Sequence, residues 1–166
     1  MINKVGIFVF ANISLVACGI YSFTGASISA DTETVSIGYF QNNAAMVQPT
    51  LSNSMTESLK DQFISQTNLS LRDANGDLQF EGEITDYKVK PIAIQANETA
   101  AQNRLTISVK VTFTNTLDAN QNYSQSFSHY TDFDSSQDLS SVETELIEQI
   151  VEVLSEKIFN KAVANW

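Results

Sequence analysis

The 166-residue sequence predicts an α+β fold: a two-layer sandwich whose mostly antiparallel four- or five-stranded sheet carries two helices packed on one face. Three observations support this: runs of strict period-2 alternation, two stretches with apolar residues recurring at i, i+4, and their order of one strand, one helix, several strands and a last helix. A sheet covered on one side leaves its other face polar.

Residues 34–40 alternate Val35, Ile37 and Tyr39 against Thr34, Ser36 and Gly38, the pattern of a half-buried strand. A loop follows through Gln41-Asn42-Asn43. Pro49 suits an early helical position, and Leu51, Met55, Leu59 and Phe63, with Ile64 beside them, predict a helix to about Thr67. Leu69 and Leu71 form a short strand ending at Asp73-Ala74-Asn75-Gly76-Asp77, where Asn-Gly reads as a hairpin turn because both residues tolerate positive φ. The next strand runs from Leu78 to about Ile94. It places Leu78, Phe80, Gly82 and Ile84 on one face, then Tyr87 and Val89 at the opposite parity, so a bulge is expected near Thr85-Asp86.

After a polar loop around 96–102, Leu105, Ile107, Val109, Val111 and Phe113 alternate with Thr106, Ser108, Lys110 and Thr112, the clearest strand in the chain. Asp118 to Asn122 form a turn. Tyr123 to about Thr131 return as a strand with Ser124, Ser126 and Ser128 on its polar side. Ser140-Ser141-Val142-Glu143 reads as a capping box, and Val142, Leu146, Ile150, Val153, Leu154, Ile158 and Ala162 make a helical stripe towards Trp166. The uncovered sheet face then comprises Glu81, Glu83, Thr106, Ser108, Lys110, Thr112, Ser124 and Ser126.

Composition narrows the function. With 43% hydrophobic residues the chain can bury a core, which separates it from disordered sequences. A formal charge of -10 argues against nucleic acid and against attraction to anionic membrane surfaces, since both need clustered Lys and Arg. One Cys excludes an internal disulfide and the zinc sites built from four Cys or from two Cys and two His. No cofactor motif or glycine-rich phosphate loop is present, and no metal site is assigned. The Asp73–Asp77 run superficially resembles a calcium loop, but its Gly falls too early and no distal Glu follows. His129, among Phe127, Tyr130 and Phe133, has no Gly-x-Ser-x-Gly elbow to serve. The carboxylate pairs Glu81/Glu83 and Asp132/Asp134 read as solvated strand positions rather than a glycosidase pair. No catalytic set emerges.

The N-terminus is more specific. Lys4 precedes an apolar run from Val5 to Val16 that is too short to span a bilayer, and Leu15-Val16-Ala17-Cys18 resembles the bacterial lipobox. By that resemblance residues 1–17 are a lipoprotein signal peptide and Cys18 is the lipid anchor, carrying a diacylglyceryl group and an acylated amine of the palmitate kind. Residues 18–33 are a tether and 34–166 the folded domain. Removal of the signal takes Lys4, one of 9 basic groups, and moves the balance from -10 to -11. Gly19 rather than Asp after the Cys points to the outer membrane.

Cys18-Gly19-Ile20-Tyr21-Ser22-Phe23-Thr24-Gly25, Val35-Ser36-Ile37, Phe40-Gln41-Asn42-Asn43-Ala44, Pro49-Thr50-Leu51-Ser52, Gly82-Glu83-Ile84-Thr85-Asp86-Tyr87 and the ending Ile158 to Trp166 together resemble the LptE lipopolysaccharide-assembly lipoproteins of the Bacteroidetes type. The resemblance covers nearly the whole chain after Cys18. It implies a non-enzymatic lipoprotein on the periplasmic side of the outer membrane that plugs and helps assemble the LptD β-barrel and supports lipopolysaccharide transport. The candidates for lipopolysaccharide contact are Lys88, Lys90, Arg104 and Lys110. A lipid-anchored periplasmic binding module for another envelope ligand is the alternative, favoured by a deep apolar pocket between sheet and helices. An envelope hydrolase using His129 and nearby acids is a third.

Overall fold

The computed structural model describes residues 28–92 and 101–163, so Cys18, the signal and Trp166 lie outside it. The order is β1 (Thr34–Ile37), β2 (Gln41–Asn42), α1 (Leu51–Gln66), β3 (Ser70–Arg72), β4 (Leu78–Ile92), β5 (Gln102–Asn115), β6 (Tyr123–Asp134) and α2 (Leu139–Val163). The six strands form one mixed sheet in the order β3-β1-β4-β5-β6, with β2 continuing beside β4 above β1. The long β4–β5 and β5–β6 ladders are antiparallel, while the short β1–β3, β1–β4 and β2–β4 pairings are parallel. The sheet thus has two short parallel contributors more than a purely antiparallel reading allows.

Both helices cover one face. The predicted stripe of α1 is buried at Leu51, Met55, Leu59 and Phe63, and α2 buries Leu146, Ile150, Leu154 and Ile158 with Ile147, Val151 and Phe159 beside them. Ile64, one position outside the α1 stripe, is exposed. Between the layers Phe63 packs against Phe80 and Phe159 with ring centroids 5.0 and 4.9 Å apart, and Phe80 against Phe113 at 4.8 Å. These contacts fall in the favoured range for offset aromatic pairs and fill the interlayer space.

The expected bulge is present: the β4–β5 register shifts between Ile84 and Asp86, which returns Tyr87 to the core face. Three expectations fail. First, Asp73–Asp77 is not a hairpin. β3 and β4 run parallel on opposite sides of β1, and the linker crosses β1. Asn75 has φ 55°, as its residue type allows, but the segment is set by tertiary contacts. The Gly76 N–H donates to Ser36 Oγ at 3.2 Å, and a Cβ on Gly76 would lie 2.6 Å from Ser36 N. Only glycine fits this close crossing.

Second, the alternation of residues 34–40 breaks after Ile37. Tyr39 points outward and Phe40 is fully buried. The reason lies opposite. Gly82 leaves a gap on the core side of β4, and the Phe40 ring occupies it while the Phe40 N–H donates to Thr56 Oγ1 at 3.1 Å. Third, the capping box at Ser140–Glu143 does not form. The helix starts at Leu139, the Asp138 carbonyl accepts from Ser141 N–H and Oγ, and Glu143 instead accepts a hydrogen bond from the buried Tyr87 hydroxyl.

The two ends of the domain differ. The tether enters at the lower end, where β1 and β4 begin and Asp77 holds Glu33 and Thr34. β2 stops opposite Ile84, so above it β4 has no strand neighbour on that side among the described residues. The sheet narrows to a three-stranded tongue of β4, β5 and β6. At about 3.3 Å per residue, the 15-residue β4 extends roughly 50 Å, whereas the 16-residue α1 spans about 24 Å at 1.5 Å per residue. Of the two helices, α2 alone reaches the upper end.

Candidate functional site

The helix-free face of the sheet is arranged in rows across β4, β5 and β6. From below, the registers align Glu81, Thr112 and Ser124; Glu83, Lys110 and Ser126; Asp86, Ser108 and Ser128; Lys88, Thr106 and Tyr130; and Lys90, Arg104 and Asp132. All eight residues expected on the polar face are there, because alternation fixes the face once register is set. The four candidate contacts Lys88, Lys90, Arg104 and Lys110 also share it, three of them in the two uppermost rows of the tongue.

Their surroundings separate them. Arg104 is held on two sides: Nε and Nη2 donate to the Asp132 carboxylate at 2.7 and 2.9 Å, and the guanidinium carbon lies 3.6 Å from the Tyr130 ring centroid. This bidentate, stacked arrangement fixes the planar fork and strengthens its hold on the proton, chiefly through the Asp132 hydrogen bonds. Two of its five N–H donors are thereby used. Lys88 pairs with Asp86 on its own strand. Lys90 and Lys110 have no carboxylate within ion-pair distance among the described residues, although Lys110 stands opposite Glu83 in register. Lower on the face the hydroxyls meet across strands, Ser108 with Ser128 at 3.0 Å and Thr112 with Ser124 at 3.2 Å.

Two open grooves flank these elements. One of about 280 Å³ lies on the polar face between Asn43, Glu81, Glu83, Lys110 and Thr112. The other, about 400 Å³, runs between the helices past Glu57, Ser58, Asp61 and Glu148. Both are polar, and neither is the deep interlayer pocket that the binding-module alternative calls for.

His129 faces α2, with Nδ1 3.5 Å from Lys157 Nζ, and burial and that ammonium lower its pKa so that it is neutral at pH 7. Asp132, two residues on, is engaged with Arg104 on the tongue, and Asp134 accepts from Ser136 N–H and Oγ. Neither acid is hydrogen-bonded to His129, and the sequence neighbours do not form a catalytic set. The Arg104–Tyr130–Asp132 cluster was not foreseen in the sequence. Its one signal is the i, i+2 spacing of Tyr130 and Asp132, which becomes informative only when the β5–β6 register is known.

Fold and site define a class: a non-spanning α+β surface domain that offers a polar, mixed-charge sheet face rather than a reaction centre. No helix among the described residues is long and apolar enough to cross a membrane. The chain belongs to the LptE lipopolysaccharide-assembly family, whose model matches residues 32–162. Among solved structures it is similar to a minor lipoprotein from Acinetobacter baumannii, with 12% identity, 81% of this chain and 94% of that chain covered and a TM-score of 0.51. It is also similar to a protein from Xanthomonas campestris, with 9% identity, 81% and 87% coverage and a TM-score of 0.51. These two likenesses concern the fold. No curated protein matches at significant similarity. Family membership gives the chain a lipopolysaccharide-assembly role in the cell envelope, in association with the transport machinery.

Proposed function

We propose that the mature chain is a non-enzymatic lipoprotein, anchored through acylated Cys18 on the periplasmic side of the outer membrane, that plugs and helps assemble an LptD-type β-barrel. The observation that carries this reading is the polar face that continues up the tongue, since large barrels have polar lumens and a plug must present hydrogen-bonding and mixed-charge surface to them. The tether enters at the end opposite the tongue, so an anchored lower end leaves the tongue free to enter the lumen. Attachment to one membrane also raises the effective concentration of plug near barrel.

Purification of the mature protein from outer membranes in mild detergent tests this reading. A large β-barrel should co-purify in near-equal amount. Recovery of the lipoprotein without it would overturn the plug assignment.

Lipopolysaccharide contact is proposed for the tongue, with Lys90 and Lys110 as the cations not already paired, and Arg104 as a pre-oriented fork. Lys90→Glu with Lys110→Glu should weaken binding of purified lipopolysaccharide several-fold, because each reversal also adds repulsion, and unchanged binding would leave the ligand to the barrel alone.

A further inference from the structure

The two free edges of the tongue are treated differently. The open side of β4 carries Lys88, Lys90 and Pro91, the residue types that discourage strand addition. β6 carries no Lys, Arg or Pro, and its outer edge is unpaired over Tyr123–Asp134 among the described residues. Its one recorded edge contact there is Lys157 Nζ, 3.2 Å from the Ser128 carbonyl. That contact shows that the Ser128 main-chain groups point outward, and by alternation so do those of Ser126, Tyr130 and Asp132.

The flank of α2 beside this edge is patterned. Lys157 reaches Ser128 and Lys161 lies 5.7 Å from the Tyr123 ring centroid. Four-residue spacing carries the same flank upward through half-buried Val153 to exposed Gln149 and Glu145. Val153 stands about 6 Å above Lys157 at 1.5 Å per residue, and Tyr130 stands about 7 Å above Ser128, so both lie at one height.

We infer that β6 is a self-association edge, taking β6 of a second copy antiparallel about a twofold axis through Tyr130 and Val153. Under that axis Glu145 meets Lys161 of the second copy, Gln149 meets Lys157, and Val153 meets Val153. The helix flank is therefore complementary in charge to itself, as an isologous interface must be. On the other face the Tyr130 ring, 46% exposed in the single chain, meets its twin. Because α2 lies over β5 and β6, joining the edges brings the two α2 helices to the usual packing distance of about 8–10 Å. A register centred on Ser128 would instead oppose Lys157 with Lys157, which disfavours it.

The inference goes beyond the barrel reading and stands without it, since it uses only this chain's edge. Tyr130→Cys in the full chain, oxidised in intact envelopes, should give a disulfide-linked dimer. A hydrogen-bonded antiparallel pair sets Cα atoms about 5.5 Å apart, within disulfide reach. Thr112→Cys, exposed in the middle of the same face, should give no more dimer than the unsubstituted chain. By sedimentation of detergent-solubilised protein carrying no new Cys, Lys161→Glu should weaken self-association roughly tenfold, because two symmetry-related pairs become repulsive. Adding Glu145→Lys on the same chain should restore it. Absence of the Tyr130→Cys dimer, equal cross-linking at Thr112→Cys, or failure of the charge swap to restore association would each overturn the inference.

Discussion

Gly82→Ala tests whether the core is organised around the Phe40–Gly82 contact. A Cβ on Gly82 would lie 2.2 Å from Phe40 Cε1 and 2.4 Å from Cζ, far inside van der Waals contact, so the ring or the strand must move. Phe40 is fully buried and its N–H is tied to Thr56 Oγ1, which in turn donates to the Ser52 carbonyl at 2.7 Å. The ring therefore cannot swing out without disturbing the β1–β2 link and the first turns of α1. Overpacking with local adjustment costs about 1–3 kcal/mol, and losing the buried Phe altogether about 3–5 kcal/mol. The expected loss for Gly82→Ala is about 3 kcal/mol in equilibrium urea unfolding of the mature chain. Phe40→Ala alone should cost at least as much. The double variant should cost less than the sum by about 1 kcal/mol or more, because the new methyl then occupies space the ring has left. A Gly82→Ala loss below about 1 kcal/mol, or strict additivity, would refute the contact as the reason residue 82 lacks a side chain.

Two further outcomes follow from the polar groups. The Asp77 carboxylate accepts from Glu33 N–H, Thr34 N–H and Thr34 Oγ1 at 3.0, 2.9 and 2.8 Å, and these bonds, Thr34 Oγ1 first, hold its pKa below 3.8. A depressed folded pKa gives stability that is present above about pH 4 and lost as pH falls, so Asp77→Asn should destabilise at pH 7 and converge on the parent chain in acid unfolding curves. Burial, aided at Tyr87 by Glu143, raises the pKa of Tyr87 and Tyr123 above the ordinary 10.0. Their contribution is present below pH 10 and falls as pH rises past it, by at most about 1.4 kcal/mol per pH unit for each tyrosine. Tyr87→Phe should flatten that alkaline decline, and an unchanged slope would count against the Tyr87–Glu143 bond.

How much was legible can be argued element by element. The β5 alternation and the α1 stripe were readable because burial on one face imposes a period that no neighbour needed to confirm. The bulge at Thr85 was readable for the same reason, as a change of parity between Ile84 and Tyr87. The failures share a different cause. Asn75-Gly76 and Ser140–Glu143 are local signals, and in both places a distant partner decided the outcome: the β1 backbone against Gly76, and the Tyr87 hydroxyl against Glu143. Phe40 replaced Tyr39 in the core because of Gly82, forty-two positions along the chain. The candidate cations were correctly placed on one face, but which of them are already paired depended on Asp86 and Asp132, and so on side-chain geometry.

Net charge had seemed to weigh against handling an anionic lipid, and the layout changes the terms of that argument. Exposed Glu57, Asp61, Glu145, Glu148, Glu152 and Glu156 sit on the helix layer, and Glu81 and Glu83 sit low on the sheet. Lys88, Lys90 and Arg104 occupy the top two rows of the tongue with Asp132 as the one acid in those rows. At physiological ionic strength exposed charges are screened over about 8 Å, so acids on the opposite layer or several strand residues below contribute little at the tip. An approaching phosphate would respond to the local rows rather than to the total of -10. The total instead governs how whole molecules approach one another. An acidic chain repels its own copies at long range, so any pairing through β6 depends on the short-range match of Glu145 with Lys161 and should strengthen, up to the point where that match is itself screened, as moderate salt suppresses the repulsion.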